Sequence, residues 1–240
     1  MIFTDRVQAG TMLAELIDQY LSQLPQKAEP LVVGLPRGGV PVALQVARRL
    51  RCPLEVVVAK KLAFPGQPEY AIGAVSSDGV IVLNPDIPHE GQWKNYIKQQ
   101  SRRLLDETRS IEQQFYRQAR LAPTSFKDRL VVIIDDGIAT GMTAMAAVKT
   151  ARQRGATRVI MAAPVMSKES YSQLSSYCDH VLAISVPDPF YAVGQHYVNF
   201  EQTSTSEVIA ALRENASYLG QMHPMAQEAQ ARYSADENRV

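Results

Sequence analysis

Short continuous apolar runs alternate with segments of helical periodicity along most of the chain. The apolar runs lie at 31–35, 54–59, 129–135, 158–165 and 180–185. The segments with apolar residues three or four positions apart include 7–24, 40–50, 142–154 and 207–219. A continuous apolar run is typical of a strand buried on both faces of a parallel sheet, with helices connecting successive strands. We therefore predict an α/β protein whose central, mostly parallel sheet is flanked by helices.

Two segments interrupt this alternation. Residues 91–120 are polar and charged, with a sparse apolar stripe at helical spacing, which predicts a helical insertion on the surface. Before it, residues 71–75 and 80–85 flank the turn sequence Ser-Asp-Gly at 77–79, which favours a β-hairpin. The last helix is predicted to follow Ser206 as its N-cap.

Composition and charge narrow the class of protein. The chain has 240 residues, of which 46% are hydrophobic and 20% charged, as in ordinary globular proteins. We expect one domain at 1–220 and a polar C-terminal tail at 221–240. A formal net charge of +1 gives no overall attraction to nucleic acid or to an anionic membrane. The two cysteines are too few for a disulfide framework.

The distribution of apolar residues bears on location and assembly. No apolar run reaches the roughly 18 residues that suggest a membrane-spanning helix. The N-terminus is polar from its fourth residue, unlike a signal peptide. We therefore expect a cytoplasmic protein with no membrane partner and no nucleic-acid partner. The apolar stripes of the first helix and of the insertion are compatible with a homodimer.

The segment with the most specific chemistry is VVIIDDGIATGMT, at residues 131–143. A buried strand delivers two adjacent acids, Asp135 and Asp136, to its carboxyl end, where open α/β sheets bind their ligands. The following turn leads directly into a helix, so its N–H groups and the helix N-terminus can bind a phosphate. The turn consists of Gly137, Ile138, Ala139, Thr140, Gly141, Met142 and Thr143.

The two acids would repel a phosphate, so they must address another part of the ligand. Carboxylates accept hydrogen bonds from the 2′ and 3′ hydroxyls of a ribose, and they can hold Mg²⁺ through water. A phosphate site at one end and a diol site at the other describe a ribose 5-phosphate. The segment contains neither the Gly-Lys-Ser/Thr of a Walker A loop nor the GxGxxG of dinucleotide-binding proteins.

Four hydrophobic residues, two acids and a turn ending in Ala-Thr-Gly-Met-Thr resemble the 5-phosphoribosyl-1-pyrophosphate (PRPP) motif of type I phosphoribosyltransferases. The resemblance implies that Asp135 and Asp136 contact the ribose hydroxyls and that residues 139–143 hold the 5-phosphate. It also implies the Rossmann-like fold of that family, in which a small hood covers the acceptor. The insertion at 91–120 matches neither the adenine nor the 6-oxopurine enzymes, which suggests a less-characterised branch.

A second segment, LVVGLPRGGVPVA at 31–43, resembles the pyrophosphate loop of the same family. The resemblance implies that Arg37 contacts the pyrophosphate through its side chain, and Gly38 and Gly39 through their backbone. It also implies a non-proline cis peptide near Arg37–Gly38. Lys60 and Lys61 are predicted to end the second core strand on the same sheet edge, near the pyrophosphate.

The acceptor of this family binds under a variable hood, which the resemblance places at about 186–203. Residues 186–194, VPDPFYAVG, resemble the hood segment of 6-oxopurine phosphoribosyltransferases. Phe190 is the candidate for stacking on the base and Lys168 for meeting an acceptor oxygen. A core phenylalanine and a solvated lysine are the alternatives. Ala139 stands where those enzymes have an Asp, and the turn looks more like that of adenine phosphoribosyltransferase.

The resemblance implies an enzyme of nucleotide metabolism. The reaction would be Mg²⁺-dependent transfer of the 5-phosphoribosyl group from PRPP to a nitrogenous base, a purine more than a pyrimidine, with release of pyrophosphate. The implied catalytic residues are Asp135, Asp136, Arg37, Lys60 and Lys61, and the two acids would hold Mg²⁺ through water. Two alternatives stay open: a non-catalytic regulator that senses PRPP or a nucleotide, and a hydrolase or phosphorylase that acts on a ribosyl phosphate.

Overall fold

The computed structural model describes residues 1–25, 29–64, 67–85 and 92–222. In chain order its elements are α1 (Arg6–Ser22), β1 (Pro30–Gly34), α2 (Gly39–Leu50), β2 (Leu54–Val56), β3 (Ala59–Phe64), β4 (Gln67–Ser76), β5 (Ile81–Leu83), α3 (Gln92–Ala119), β6 (Leu130–Ile134), α4 (Met142–Gln153), β7 (Arg158–Val165), α5 (Lys168–Leu174), β8 (His180–Ser185) and α6 (Thr205–Met222). The polar tail predicted at 221–240 lies, from residue 223 onward, outside this description.

A five-stranded parallel sheet forms the centre of the molecule, in the order β2-β1-β6-β7-β8. Successive residues of each strand point to opposite faces, and both faces are covered. On β6, for example, Val132 and Ile134 join the apolar cluster of α1, α2 and α6, whereas Val131 and Ile133 join that of α4 and α5. The continuous apolar runs therefore arise because the strands are buried on both faces, and the predicted α/β fold is confirmed.

A separate antiparallel sheet, in the order β3-β4-β5, packs against α3 on one side and α4 on the other. The predicted hairpin is confirmed, because β4 and β5 pair across residues 77–80. The second core strand, predicted at 54–59, is wrong in its second half: β2 ends at Val56. The N–H of Val58 donates to Glu112 at 2.9 Å instead of to a neighbouring strand, and the chain then enters the second sheet.

Lys60 and Lys61 consequently lie within β3 and not at the end of a core strand, which corrects the prediction. They alternate on the two faces of the small sheet. Lys60 forms an ion pair with Glu107 of α3. Lys61 is opposite Ala74 of β4, whose side chain belongs to the apolar cluster of α4. Of the two lysines, Lys61 therefore lies on the face of the small sheet that packs against α4, and Lys60 lies on the face that packs against α3.

In the described part of the insertion between β5 and β6, the helix α3 is joined to the small sheet and to α4 by half-buried charged groups. Glu112 accepts hydrogen bonds from Ser77 Oγ at 2.6 Å and from Arg154 Nη2 at 2.7 Å. Arg154, near the end of α4, also bonds both carboxylate oxygens of Asp78. Hydrogen bonds to ionised groups are the stronger class, so the network fixes the small sheet relative to α4.

The last helix begins at Thr205, which lies before its predicted cap. Ser204, not Ser206, precedes the helix, and Ser204 Oγ accepts a hydrogen bond from the N–H of Glu207 at 3.2 Å. Glu207 in turn accepts from the N–H of Ser204 at 2.7 Å, which completes a capping box. No helix in the described ranges combines the length and apolar character needed to cross a bilayer.

A cavity of about 680 Å³ lies at the amino ends of β1, β2 and β6, and Glu55 lines it. Glu55 is 4% exposed and accepts hydrogen bonds from the Thr124 N–H at 2.8 Å and from the Tyr116 hydroxyl. Burial raises the pKa of this carboxyl, although the two hydrogen bonds oppose the shift. A buried acid with a raised pKa favours folding when protonated, so its contribution to stability is present at acid pH and is lost as pH rises through the folded-state pKa.

We predict that Glu55→Gln gains stability relative to the wild type as pH rises above about 4.5, the ordinary pKa of a glutamate. The amide keeps an acceptor but carries no charge, so the difference should grow by at most about 1.4 kcal/mol per pH unit. Chemical denaturation at several pH values measures it, with Glu15→Gln on the exposed face of α1 as control. A difference that stays constant with pH would contradict the assignment.

Candidate functional site

The two loops singled out in the sequence meet at the carboxyl edge of the central sheet. Strands β1 and β6 pair in register from Pro30 opposite Leu130 to Gly34 opposite Ile134. The N–H of Leu35 continues this pairing by donating to the Ile134 carbonyl at 2.8 Å. The loop after β1 and the turn after β6 therefore begin side by side, where doubly wound sheets bind ligands.

Glycine at positions 38 and 39 allows these two loops to touch. Gly38 has ordinary helical dihedral angles, so its backbone conformation does not require glycine. A Cβ atom there, however, would overlap the carboxylate of Asp136. A Cβ at Gly39 would lie 2.6 Å from the carbonyl oxygen of Ile134. Glycine is therefore needed at these positions because a side chain would not fit between the two loops. A non-proline cis peptide is present at Pro36–Arg37, one bond before the predicted position.

The turn after the two acids is anchored to β7 and α5. The N–H of Ile138 donates to the Val165 carbonyl at 2.9 Å. The carbonyl of Ala139 accepts two hydroxyl hydrogen bonds, from Ser167 and Ser170, each at 2.8 Å. Gly141, with φ of 71°, then directs the chain into α4 in a conformation that favours glycine. The serines escaped sequence reasoning, because nothing local marks a hydroxyl that bonds a turn about thirty residues earlier.

The backbone N–H groups of residues 139–143 donate to no acceptor in the part of the chain that the structure describes. The hydroxyls of Thr140 and Thr143 likewise have no partner among the described residues. These donors surround the N-terminus of α4, where the helix dipole favours an anion. Polar groups left open in this way are the arrangement that binds a phosphate. The sequence prediction for residues 139–143 remains a prediction, and the geometry is compatible with it.

The two acids stand beside this turn in different environments. Asp135 is half-buried, and its Oδ1 accepts the N–H of Asp136 at 2.9 Å. Burial and the neighbouring Asp136 charge raise the pKa of the Asp135 carboxyl well above its ordinary range, while Arg6 opposes the shift. Perturbed carboxyl groups in a cleft are typical of functional sites.

Asp136 is held by two residues that the sequence analysis missed. The Nε and Nη2 of Arg6 each lie 2.8 Å from Asp136 Oδ2. The hydroxyl of Tyr197 donates to the Asp136 carbonyl at 2.6 Å. Arg6 also lies 4.2 Å from the ring centroid of Phe200. The sequence around Arg6 and around Tyr197 gives no local sign of these contacts, because both residues are far from Asp136 along the chain, Arg6 by 130 positions.

The basic residues predicted to meet pyrophosphate are only partly brought together. Arg37 is exposed beside Gly38, and the N–H groups of both residues donate to no described acceptor. Lys61 is exposed and shares the α4 face of the small sheet. Lys60 lies on the opposite face, where Glu107 already neutralises it. An exposed guanidinium and two open amides are groups of the kind that bind an anion, so the prediction of a pyrophosphate contact by Arg37 and Gly38 stays a prediction.

The two acceptor candidates already have protein partners. The ring of Phe190 stacks on His196, with centroids 5.4 Å apart. Lys168 forms an ion pair of 3.5 Å with Asp188, and both side chains are largely exposed. Phe190 is half-buried and therefore not a core residue. One face of its ring is covered by His196. The role of both residues stays a prediction.

The two acids also suit a magnesium ion bound through water. No cluster of three or more acidic, histidine or cysteine ligands occurs among the residues that the structure describes. A magnesium ion typically uses one or two carboxylates and takes its other oxygens from water and substrate phosphates. Asp136 Oδ1 and Asp135 Oδ2 accept no hydrogen bond from the described residues, so one oxygen of each acid is open for this purpose. The donor set therefore fits.

Proteins similar to this chain are known by sequence and by structure. A family model described as phosphoribosyl transferase domain matches residues 4–201. Proteins of two Mycobacterium tuberculosis strains, CDC 1551 and H37Rv, carry phosphoribosyl transferase in their names and are each 44% identical over 213 residues. The alignment covers 88% of this chain and 46% of each relative, so the chain spans about half their length. The crystal structure of TT1426 from Thermus thermophilus is 39% identical with a TM-score of 0.74, and the match covers 89% of this chain and 99% of that one.

We predict that Ser170→Ala lowers the free energy of unfolding by about 1 kcal/mol, because one of two hydroxyl bonds to the Ala139 carbonyl is lost. Removing Ser167 as well should cost a further 1–3 kcal/mol, roughly, since the carbonyl then has no donor and α5 loses its N-cap. Denaturant unfolding measures both variants. Ser172→Ala, at an exposed position of the same helix, is the control. Equal effects at Ser170 and Ser172 would refute the anchoring role.

We predict that Gly38→Ala lowers the free energy of unfolding by about 1–3 kcal/mol, because the added methyl group overlaps the Asp136 carboxylate. The same substitution should cost less in an Asp136→Ala background, where the overlapping group is absent. A double-mutant cycle from denaturant unfolding isolates this coupling. Additive effects of the two substitutions would show that the loops do not meet as described.

Proposed function

The chain belongs to the phosphoribosyltransferase family, and on that premise we propose that it transfers the 5-phosphoribosyl group of PRPP to a nitrogenous base. The observation that carries the proposal is the open amide turn at residues 139–143, directly beside two carboxylates. A ligand that presents a phosphate and a diol about one ribose apart satisfies both groups at once. A simple phosphate satisfies only the amide turn.

In this proposal the two ends of the ribose phosphate are held by different kinds of group. The amides of residues 139–143 and the hydroxyls of Thr140 and Thr143 donate to the three oxygens of the 5-phosphate. Asp135 and Asp136 accept from the ribose hydroxyls. Since both groups stand on one rigid strand–turn–helix unit, the anomeric carbon is oriented before any reaction begins.

The reaction breaks the bond between C1 of the ribose and a pyrophosphate oxygen, and it forms a bond between C1 and a nitrogen of the base. Negative charge therefore develops on the departing pyrophosphate. In this proposal the open amides of Arg37 and Gly38 and the exposed Arg37 guanidinium bind that charge, and Lys61 is a further candidate. Lys60 is the weaker candidate, because Glu107 already pairs with it.

The proposal includes magnesium, which Asp135 and Asp136 would hold through water. A bound magnesium ion would neutralise part of the charge on the pyrophosphate. The remaining task of these residues is positional, since each has one carboxylate oxygen open toward ribose or water.

A purine is the favoured acceptor in this proposal. The support is the turn sequence around Ala139, which resembles that of adenine phosphoribosyltransferase, together with the aromatic hood. Phe190 has one ring face against His196, and stacking of a base would use the other face.

We predict that the full chain binds PRPP in the presence of Mg²⁺ and that Asp135→Asn weakens this binding at least about tenfold. Loss of a charged hydrogen-bond acceptor typically costs roughly 1.5–3 kcal/mol. Isothermal calorimetry measures the affinity. Asp18→Asn, which alters an exposed acid paired with Arg49 on α2, is the matched control and should bind as the wild type does. Absence of PRPP binding by the wild type would overturn the proposal.

The same protein is then assayed for pyrophosphate release from PRPP with adenine, hypoxanthine, guanine, uracil and orotate. Release that depends on a purine supports the proposed transfer. Release with water or inorganic phosphate alone would favour a hydrolase or phosphorylase. PRPP binding without release on any acceptor would favour the non-catalytic sensor.

A further inference from the structure

The cavity of about 680 Å³ beside Glu55, the amino-edge cavity, lies at the end of the central sheet opposite to the ribose turn. Strands β1 and β6 have five residues each, which puts about 16 Å between the two ends of the sheet. Protein interiors are close-packed and seldom leave voids much larger than a water molecule. A cavity of this volume is instead in the range of small-molecule sites. No step of the proposed transfer uses it.

Hydrogen bonds hold two walls of the amino-edge cavity in place. Asn215 of α6 is buried, and its Oδ1 accepts the Leu54 N–H at 2.8 Å while its Nδ2 donates to the Cys52 carbonyl at 3.2 Å. The loop at residues 121–124 is attached to the same strand by the bond from the Thr124 N–H to Glu55. Both walls are therefore fixed to β2, and the cavity is formed before any ligand binds.

Much of the lining is apolar and uncharged. Burial raises the pKa of the Cys52 thiol, which lines the cavity, to about 12, so this group stays neutral. A lining of this kind favours a ligand with an apolar or aromatic body. The apolar side chains come from β2, from the loop and from α6, and they are Leu54, Leu121, Pro123, Leu212, Ala216 and Leu219.

The cations of the lining have donors to spare. The guanidinium of Arg129 is half-buried, yet it donates no hydrogen bond to any residue that the structure describes. Its ion pair with Glu29 is long, at 3.8 Å, and the Glu29 side chain is 88% exposed. Arg51, which is exposed, forms no ion pair within the described ranges. An arginine carries five N–H donors, so an anion at Arg129 would find several open.

The acceptors of the lining, by contrast, are already engaged. The two oxygens of Glu55 accept from the Thr124 N–H and from the Tyr116 hydroxyl, and Asn215 Oδ1 accepts from Leu54. Burial also raises the pKa of Glu55, so its negative charge is disfavoured. Because side-chain donors are open and side-chain acceptors are not, a ligand that brings acceptors and negative charge fits better than a cation.

We propose that the amino-edge cavity is a second binding site, for a small molecule that joins an apolar or aromatic body to one anionic group. The body lies against α6 and the loop at 121–124, and the anionic group accepts from the Arg129 guanidinium, with Arg51 as a further cation. The length of the sheet separates this site from the ribose turn, so a ligand binds here without competing with PRPP.

The test uses two fluorescent probes that share one aromatic body. Anilinonaphthalene sulfonate carries an anionic group, and phenylnaphthylamine lacks it. We expect saturable binding of the anionic probe to the full chain. Arg129→Met should weaken that binding at least about tenfold, because hydrogen bonds to a charged group are lost, and should change binding of the uncharged probe by no more than about twofold. Fluorescence titration measures both probes.

A second variant tests the position of the aromatic body. Ala216→Phe places a ring in the cavity and should weaken both probes at least about tenfold. Ser217→Phe adds the same ring at an exposed position of α6, and Arg158→Met removes an exposed arginine at the start of β7. Both are matched controls and should bind the two probes as the wild type does. Thermal unfolding checks that each variant is folded, and if Ala216→Phe is not, the Arg129→Met comparison decides alone.

Three results would overturn the proposal. Equal losses of both probes in Arg129→Met would remove the anion contact, and wild-type binding of both probes in Ala216→Phe would remove the site. Displacement of the anionic probe by PRPP with Mg²⁺ would place it at the ribose turn instead. The titrations of the variants require no PRPP, so they are decided separately from the proposed transfer.

Discussion

The in-register pairing of β1 with β6 places two loops against each other, and the site exists only because of that contact. Gly34 is opposite Ile134, so the chain leaves both strands at the same level. The two glycines after β1 then bring its loop against the acids after β6 without any intervening side chain. A shift of the register by one residue would exchange the two faces of a strand that is buried on both. The apolar core therefore fixes the relative position of the two sets of open backbone amides, at 37–38 and at 139–143.

This arrangement leaves several backbone donors without an acceptor in the described part of the protein, at the edge of the sheet where a ligand can reach them. The amides of residues 139–143, and those of Arg37 and Gly38, have no acceptor within the described ranges. The raised pKa of Asp135 shows that its negative charge is also disfavoured where it stands. A ligand that supplies acceptors to the amides and donors to the acid can bind only when the two loops are folded together, so binding and folding are linked. The hydroxyl groups of Ser167 and Ser170, which both donate to the Ala139 carbonyl, hold the turn in this conformation without a ligand.

Features whose cause lies within a short stretch of sequence could be predicted, and features that depend on a distant residue could not. The motif at 131–143 is contiguous, and so its strand, its turn and its helix were all predictable from spacing. The end of β2 was not, because one apolar run serves two sheets and only the side chain of Glu112, more than fifty positions away, marks the crossing. The same error misplaced Lys60 and Lys61. Arg6 escaped for a related reason, since its partner is known only once α1 packs beside the sheet.

The predicted hood segment, residues 186–203, is attached to Asp136, and this attachment affects how the residues around a bound acceptor can vary. Tyr197 of this segment bonds the Asp136 carbonyl, and Arg6 connects the Glu201 carbonyl and the Phe200 ring to the Asp136 carboxylate. Neither connection uses Phe190, the candidate for stacking on a base. Phe190, by contrast, touches His196 within the hood segment itself. Under the proposed function, residues of this segment that would face an acceptor can therefore change without disturbing the ribose contacts, provided that Arg6 and Tyr197 are kept. The proposed ribose site and a variable acceptor site can then share one small region, because the contacts that join them involve Asp136, Arg6 and Tyr197 and not the residue expected to stack on the base.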